Sequence, residues 1–149
     1  MSSNLTTLVT AIVTDLAAQT FDTPAIPRAA LAPILTIMDI ELHVLVLQRS
    51  DSLERIGAGA DPAVQTDYEV HVVVQRKFGE GEDIEHEGLA LVELCAAIAL
   101  RLLSTPMDLG GYNAWCTGAS REEVLSLADL LVEREFFAVI TTRWITATC

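Results

Sequence analysis

His43, His71, Cys95, Cys116, Cys149, Ser120 and a run of carboxylates from Glu80 to Glu87 carry the chemistry that this chain could perform. Serine hydrolysis favours a nucleophile elbow, Gly-x-Ser-x-Gly, which exposes the hydroxyl on a sharp turn. Gly118-Ala119-Ser120 begins one, but Glu122 stands where the second glycine belongs. Ser120 and Glu123 instead match a capping box, in which the serine and the glutamate satisfy backbone N–H groups at a helix start. Cysteine catalysis needs a thiolate beside a histidine. Cys116 follows Trp115 with no histidine near it in sequence, and a buried structural thiol is the simpler reading.

Metal binding needs three or four clustered ligands. His43 and His71 are expected to face each other across a hairpin, but two histidines do not make a site. The chain has neither Cys-x-x-Cys nor His-x-x-x-His. Glu80, Glu82, Asp83, Glu85 and Glu87 lack the alternating Asp-x-Asp-x-Asp-Gly spacing of a calcium loop, so a solvated acidic turn is expected. Gly57-Ala58-Gly59 and Gly79-Glu80-Gly81 are too short to be phosphate cradles, and carboxylates ring the second. No catalytic, cofactor-binding or metal-ligating residue is therefore expected, and no cofactor.

The composition narrows the partners. The chain has 149 residues, 51% of them hydrophobic, with a formal net charge of −12. That length favours a single domain over residues 1–149, with enough apolar material for a core. The charge opposes binding to nucleic-acid phosphate or to an anionic membrane. Three cysteines make no paired framework, and reduced thiols are expected. No signal peptide is expected at Met1. The apolar run Leu89–Leu103 is shorter than the ~20 residues of a membrane span and holds Glu93 and Arg101.

Periodicity supplies the elements that must position these residues. Leu5, Leu8, Val9, Ile12, Val13 and Leu16 fall three and four apart, which predicts a helix capped by Ser3 or Asn4. Pro24, Pro27 and Pro33 then break the chain, leaving a short edge strand at 28–31 and a turn or short helix at 34–39. Alternation predicts strands over 40–47 and 68–78, paired as an antiparallel hairpin. A long connection, Ser50 to Asp67, has neither helical nor strand pattern. Asp83 is the expected cap of a second helix with its body at 89–103. A short strand is expected at 114–117 with Trp115 on the core, then a third helix following Ser120. A closing strand at 136–146 is rich in β-branched and aromatic residues. The fold class expected is α+β: a mostly antiparallel sheet of four to five strands with two or three helices packed on it.

The order of these residues resembles the tail-terminator and head–tail neck proteins of tailed bacteriophages. Four stretches carry the likeness: the helix Leu5–Ala18; the strand Leu42-His43-Val44-Leu45-Val46-Leu47-Gln48-Arg49; the segment Arg55 to Phe78 with Gly59-Ala60-Asp61; and Phe137-Ala138-Val139-Ile140-Thr141-Thr142-Arg143-Trp144. Together they cover most of the chain. The resemblance implies a virion protein that forms a ring, typically six-fold. Such a ring caps the tail tube and joins it to the head connector, with DNA sliding through the lumen without specific binding. It implies no reaction, no cofactor and no membrane.

On that reading Leu45, Leu47, Arg49, Arg55 and Asp61 are the candidate assembly contacts. The two leucines would form an apolar patch on the second strand, and the arginines would pair with acidic groups of a neighbour. A head-completion stopper, a minor tail component, or a small ligand-binding or enzymatic domain built on His43, His71 or Cys116 remain open alternatives.

Overall fold

The computed structural model describes residues 4–23, 26–34, 37–39, 41–56, 63–123 and 134–148. Helix α1 spans Asn4–Ala18 and is followed by strand β1, Pro27–Ala30. Two long strands come next, β2 at His43–Ile56 and β3 at Ala63–Lys77. Helix α2, Ile84–Ser104, precedes a two-residue strand β4, Met107–Asp108. Strands β5, Asn113–Glu123, and β6, Glu135–Thr148, close the chain. The six strands form one mixed sheet in the order β1-β2-β3-β6-β5-β4, curled into a half-barrel. The fold is α+β, with the two described helices on one face.

Side chains alternate across a strand, so each strand serves both faces. Val44 and Val46, then Tyr68, Val70, Val72 and Val74, then Phe136, Ala138, Ile140 and Trp144 point to the helices. Leu8, Val9, Ile12 and Leu16 of α1 and Leu91, Leu94, Cys95, Ile98 and Leu102 of α2 meet them at helical spacing. Asp83 caps α2 as expected, accepting from the N–H groups of Glu85 and His86. Arg101 clamps the helices together with a two-pronged ion pair to Asp15, at 3.0 and 2.7 Å.

Several expectations need correction. The sheet has six strands instead of four or five. The addition is β4, too short to leave a pattern, and the expected edge strand β1 runs parallel to β2. The segment Ser50 to Asp67 is not a long loop. Its flanks continue β2 and β3 in register as far as Ile56↔Ala63. Backbone pairing needs no apolar alternation, so this part of the hairpin is silent in sequence. Ser120 caps no helix: it lies in β5 opposite Thr141, and the strand runs to Glu123. Ladder pairing with β6 overrides the local capping pattern there. The helix expected beyond it falls on residues 124–133, outside the described residues. Trp115 is not in the core but 55% exposed, because Ala114 and Cys116 take the inward positions of β5.

A parallel pair requires a crossover of about a dozen residues. The chain leaving β1 makes it across the face opposite the helices. There Ile34 and Ala30 pack on Leu45, Leu47 and Val73. The buried side chain of Gln75 holds this strap: its amide nitrogen donates to the Ile34 carbonyl and its oxygen accepts from the Ile34 N–H, both at 2.9 Å.

On the helix face, Thr142 is wholly buried yet satisfied. Its hydroxyl donates to the Val70 carbonyl at 2.7 Å and accepts from the Trp144 indole at 2.8 Å. The buried Tyr68 hydroxyl, by contrast, has no hydrogen-bond partner. Opposite mutational outcomes follow. Thr142→Val should cost about 1–3 kcal/mol by orphaning two buried polar groups. Tyr68→Phe should be neutral or stabilising by up to about 1 kcal/mol, because it removes an unpaired hydroxyl. Urea unfolding of the two variants measures both.

Candidate functional site

β3 and β6 pair without interruption, from Val64↔Thr148 to Lys77↔Glu135. The strands flanking them do not. β2 carries an extra residue, Arg49, between Gln48 and Ser50, and β5 carries Thr117 between Cys116 and Gly118. These bulges bracket a single row, Ser50↔Glu69↔Arg143↔Gly118. A bulge bends and twists its strand locally, and two of them on either side of one row re-aim the sheet at that level. A groove of about 380 Å³ lies there, lined by Ser50, Asp67, Glu69, Thr117 and Arg143 among others. The Thr117 hydroxyl donates to the Arg143 carbonyl at 3.3 Å. Glu69 approaches His71 at 3.3 Å. The groove therefore presents carboxylates, one arginine and hydroxyls.

His43 and His71 do not face each other. His43 lies opposite Gln75 and His71 opposite Leu47, well apart along the hairpin. His43 is 2.8 Å from Asp39, which it holds below its ordinary carboxylate value, with the Glu41 N–H assisting. Among the described residues no group of three or more His, Cys, Asp or Glu is placed to hold a metal. Cys95 is buried, and Cys116 is half-buried with its thiol donating to the Gly118 carbonyl at 3.4 Å. Gly57-Ala58-Gly59 falls outside the described residues.

The acidic turn is not a freely solvated run. Arg76 joins Glu82 at 2.6 Å and Glu87 at 3.1 Å, and it lies over the Phe78 ring. Arg134 donates to the carbonyls of Gly79 and Glu82. It does so from a left-handed backbone conformation, φ 56°, uncommon for a residue with a side chain. A cation just before the turn, Arg76, and one far along the chain, Arg134, thus pin it, and the second pairing is one that no local pattern announces.

The candidate assembly residues separate. Leu45 and Leu47 are 0% and 1% exposed beneath the strap of their own chain. They form no open patch, contrary to the expectation, because the parallel crossover covers the face they share. Arg49 is exposed at the β2 bulge. The backbone of Arg55 pairs with Val64; its side chain, and Asp61 altogether, lie outside the described residues. Exposed apolar side chains occur elsewhere. Ile26 and Leu31 flank β1, Met38 is exposed in the connection to β2, and Leu89, Leu100 and Leu103 follow one side of α2. Their neighbours in sequence are largely apolar, among them Ala25, Ala30, Ala90, Leu91, Ala99 and Leu102, so periodicity alone does not set them apart from the core. Among the described residues no helix is long and apolar enough to cross a membrane.

No family model matches the chain, and no curated protein matches it. One solved chain, whose name says nothing of its role, is similar over 98% of this chain and 96% of its own, at 16% identity and a TM-score of 0.49. That degree of similarity carries nothing about function.

Burial pushes the Cys116 thiol above its ordinary value of 9.0, outweighing the opposing influence of the nearby Gly118 and Arg143 backbone. In the folded protein the thiol therefore keeps its proton to higher pH than in the unfolded chain. Below about pH 9 this has no effect on stability; as pH rises through the unfolded value toward the folded one, stability falls. In a Cys149→Ser background, iodoacetamide should label Cys116 far more slowly in native than in urea-unfolded protein at pH 8. The native rate should climb only above pH 9. Intact-mass spectrometry reads both rates.

Proposed function

We propose that the chain is a structural virion subunit of a tailed phage or prophage, not an enzyme. It assembles in the host cytoplasm into a ring, six-fold by resemblance, that caps the tail tube and joins it to the head connector. The observation that carries this reading is the grouping of exposed large apolar side chains. Single exposed leucines are ordinary on protein surfaces, but groups of them mark sites of association. Ile26 and Leu31 are 85% and 80% exposed at either end of an edge strand, and Leu89 and Leu100 are each 66% exposed on α2. The two groups sit on different parts of the fold. α1 packs on β1 and β2, whereas α2 packs on β5 and β6. Unlike patches suit head-to-tail contacts, the kind that close into rings. The net charge of −12 fits a lumen through which DNA slides, since like charge forgoes the counterion release that drives phosphate binding.

Negative-stain electron microscopy of the purified protein, alone and mixed with isolated tail tubes, tests the reading. Discrete rings seated on tube ends are expected. Particles that stay monomeric in both samples would overturn it, and docking to isolated capsid connectors alone would reassign the chain as a head-completion stopper.

A further inference from the structure

Phe21, Asp22 and Thr23, just beyond α1, face Ala90, Glu93, Leu94 and Ala97 of α2 across a cleft of about 280 Å³. Its walls are apolar and aromatic, and its two charged groups are both carboxylates. Neither Asp22 nor Glu93 has a hydrogen bond or ion pair with another described residue. Asp15 is matched by Arg101, Glu82 and Glu87 by Arg76, and Asp39 by His43, whereas the carboxylates of Glu41, Glu80 and Glu85 share the unpaired state of these two among the described residues. Two carboxylates on one apolar-walled cleft, with no cation between them, fit a cationic side chain. A guanidinium suits best, since its planar fork can engage both carboxylates while its faces lie on Phe21 and its stem on the alanines.

The chain itself carries such a group. Arg28 projects from β1, exposed, and makes no hydrogen bond or ion pair with another described residue. It sits between two apolar neighbours, Ile26 at 85% and Leu31 at 80% exposed. Glu93 likewise sits between exposed Leu89 and Leu100, one and two turns away on the same side of α2. The two surfaces share one pattern, apolar–charge–apolar, with opposite charges at the centre. Copies of a chain with net charge −12 repel each other in general, so their contact needs such local complementarity.

We propose that Arg28 of one copy enters the Asp22–Glu93 cleft of the next, with Ile26 and Leu31 covering the exposed leucines of α2. The occupant is a second copy of this chain, and the contact is heterologous. β1 gives and α2 receives, so each subunit has both halves and the series closes as a ring. This rests on the ring reading above.

Charge reversal tests it. Arg28→Glu, Glu93→Arg and the double variant are compared with wild type by mass photometry and negative stain, with far-UV circular dichroism confirming the fold. Both positions are exposed, so the variants should fold. Each single variant should weaken ring assembly at least about tenfold, and the double variant should recover part of it, Asp22 still opposing the introduced glutamate. Rings of wild-type strength in either single variant, or no recovery in the double, would overturn the inference while leaving the ring intact. So would loss of tail docking in Glu93→Arg with rings unaffected, since the cleft would then hold a tail protein. A wild-type chain that forms no ring even on tail tubes would instead sink the ring reading itself.

Discussion

β3 and β6 pair through their whole length without a register shift, and that ladder fixes what every neighbouring side chain does. Strand period is two, so a slip of one residue would turn the core face of the slipped strand to the opposite side. In the register adopted, Val70, Val72, Val74, Ala138 and Ile140 meet the helices, while Val73, Gln75 and Val139 meet the strap. The hydroxyl of Thr142 locks the arrangement across the ladder, bridging the Val70 carbonyl and the Trp144 indole. The outer strands then adapt to the pair. Their bulges at Arg49 and Thr117 fall on either side of one row, which leaves the central ladder unbroken while the sheet bends around it.

The opposite face is closed by a less conspicuous device. Gln75 offers an amide to the backbone of Ile34 as a neighbouring strand would, donor to acceptor and acceptor to donor. Both atoms are satisfied, which is the condition for burying an amide without a large desolvation cost. The strap turns Leu45, Leu47 and Val73 into a second small core. Apolar residues that read as an association surface in sequence are thus consumed within the chain. The large apolar side chains left exposed are ones that neither core uses, among them Ile26 and Leu31 beside β1 and Leu89 and Leu100 on α2.

Local electrostatics follow the same division. Arg101 and Arg134 tie distant segments to one another and Arg76 ties the end of β3 to the turn that follows it, so these cations serve the fold. Arg28 and the carboxylates Asp22 and Glu93 have no such duty among the described residues. In a chain this acidic a free cation flanked by apolar groups is scarce, which gives Arg28 its weight in the proposed contact.

Sequence alone determined the elements whose signal is local. Helical spacing from Leu5 to Leu16 located α1, Asp83 marked the start of α2, and alternation gave the buried halves of β2, β3 and β6. Those patterns survive because burial of one face leaves a period in the sequence. The tertiary structure decided whatever depends on a partner far along the chain. Ladder pairing made strands of Ser50–Ile56 and of Ser120–Glu123, where apolar period is lacking or a capping box points elsewhere. The crossover buried Leu45 and Leu47, and Arg76 and Arg134 gathered the acidic turn. The Asp22–Glu93 cleft exists only because the end of α1 is brought beside α2. A backbone hydrogen bond or an ion pair can be made by almost any residue at the right place, so it leaves little trace in sequence until the fold supplies that place.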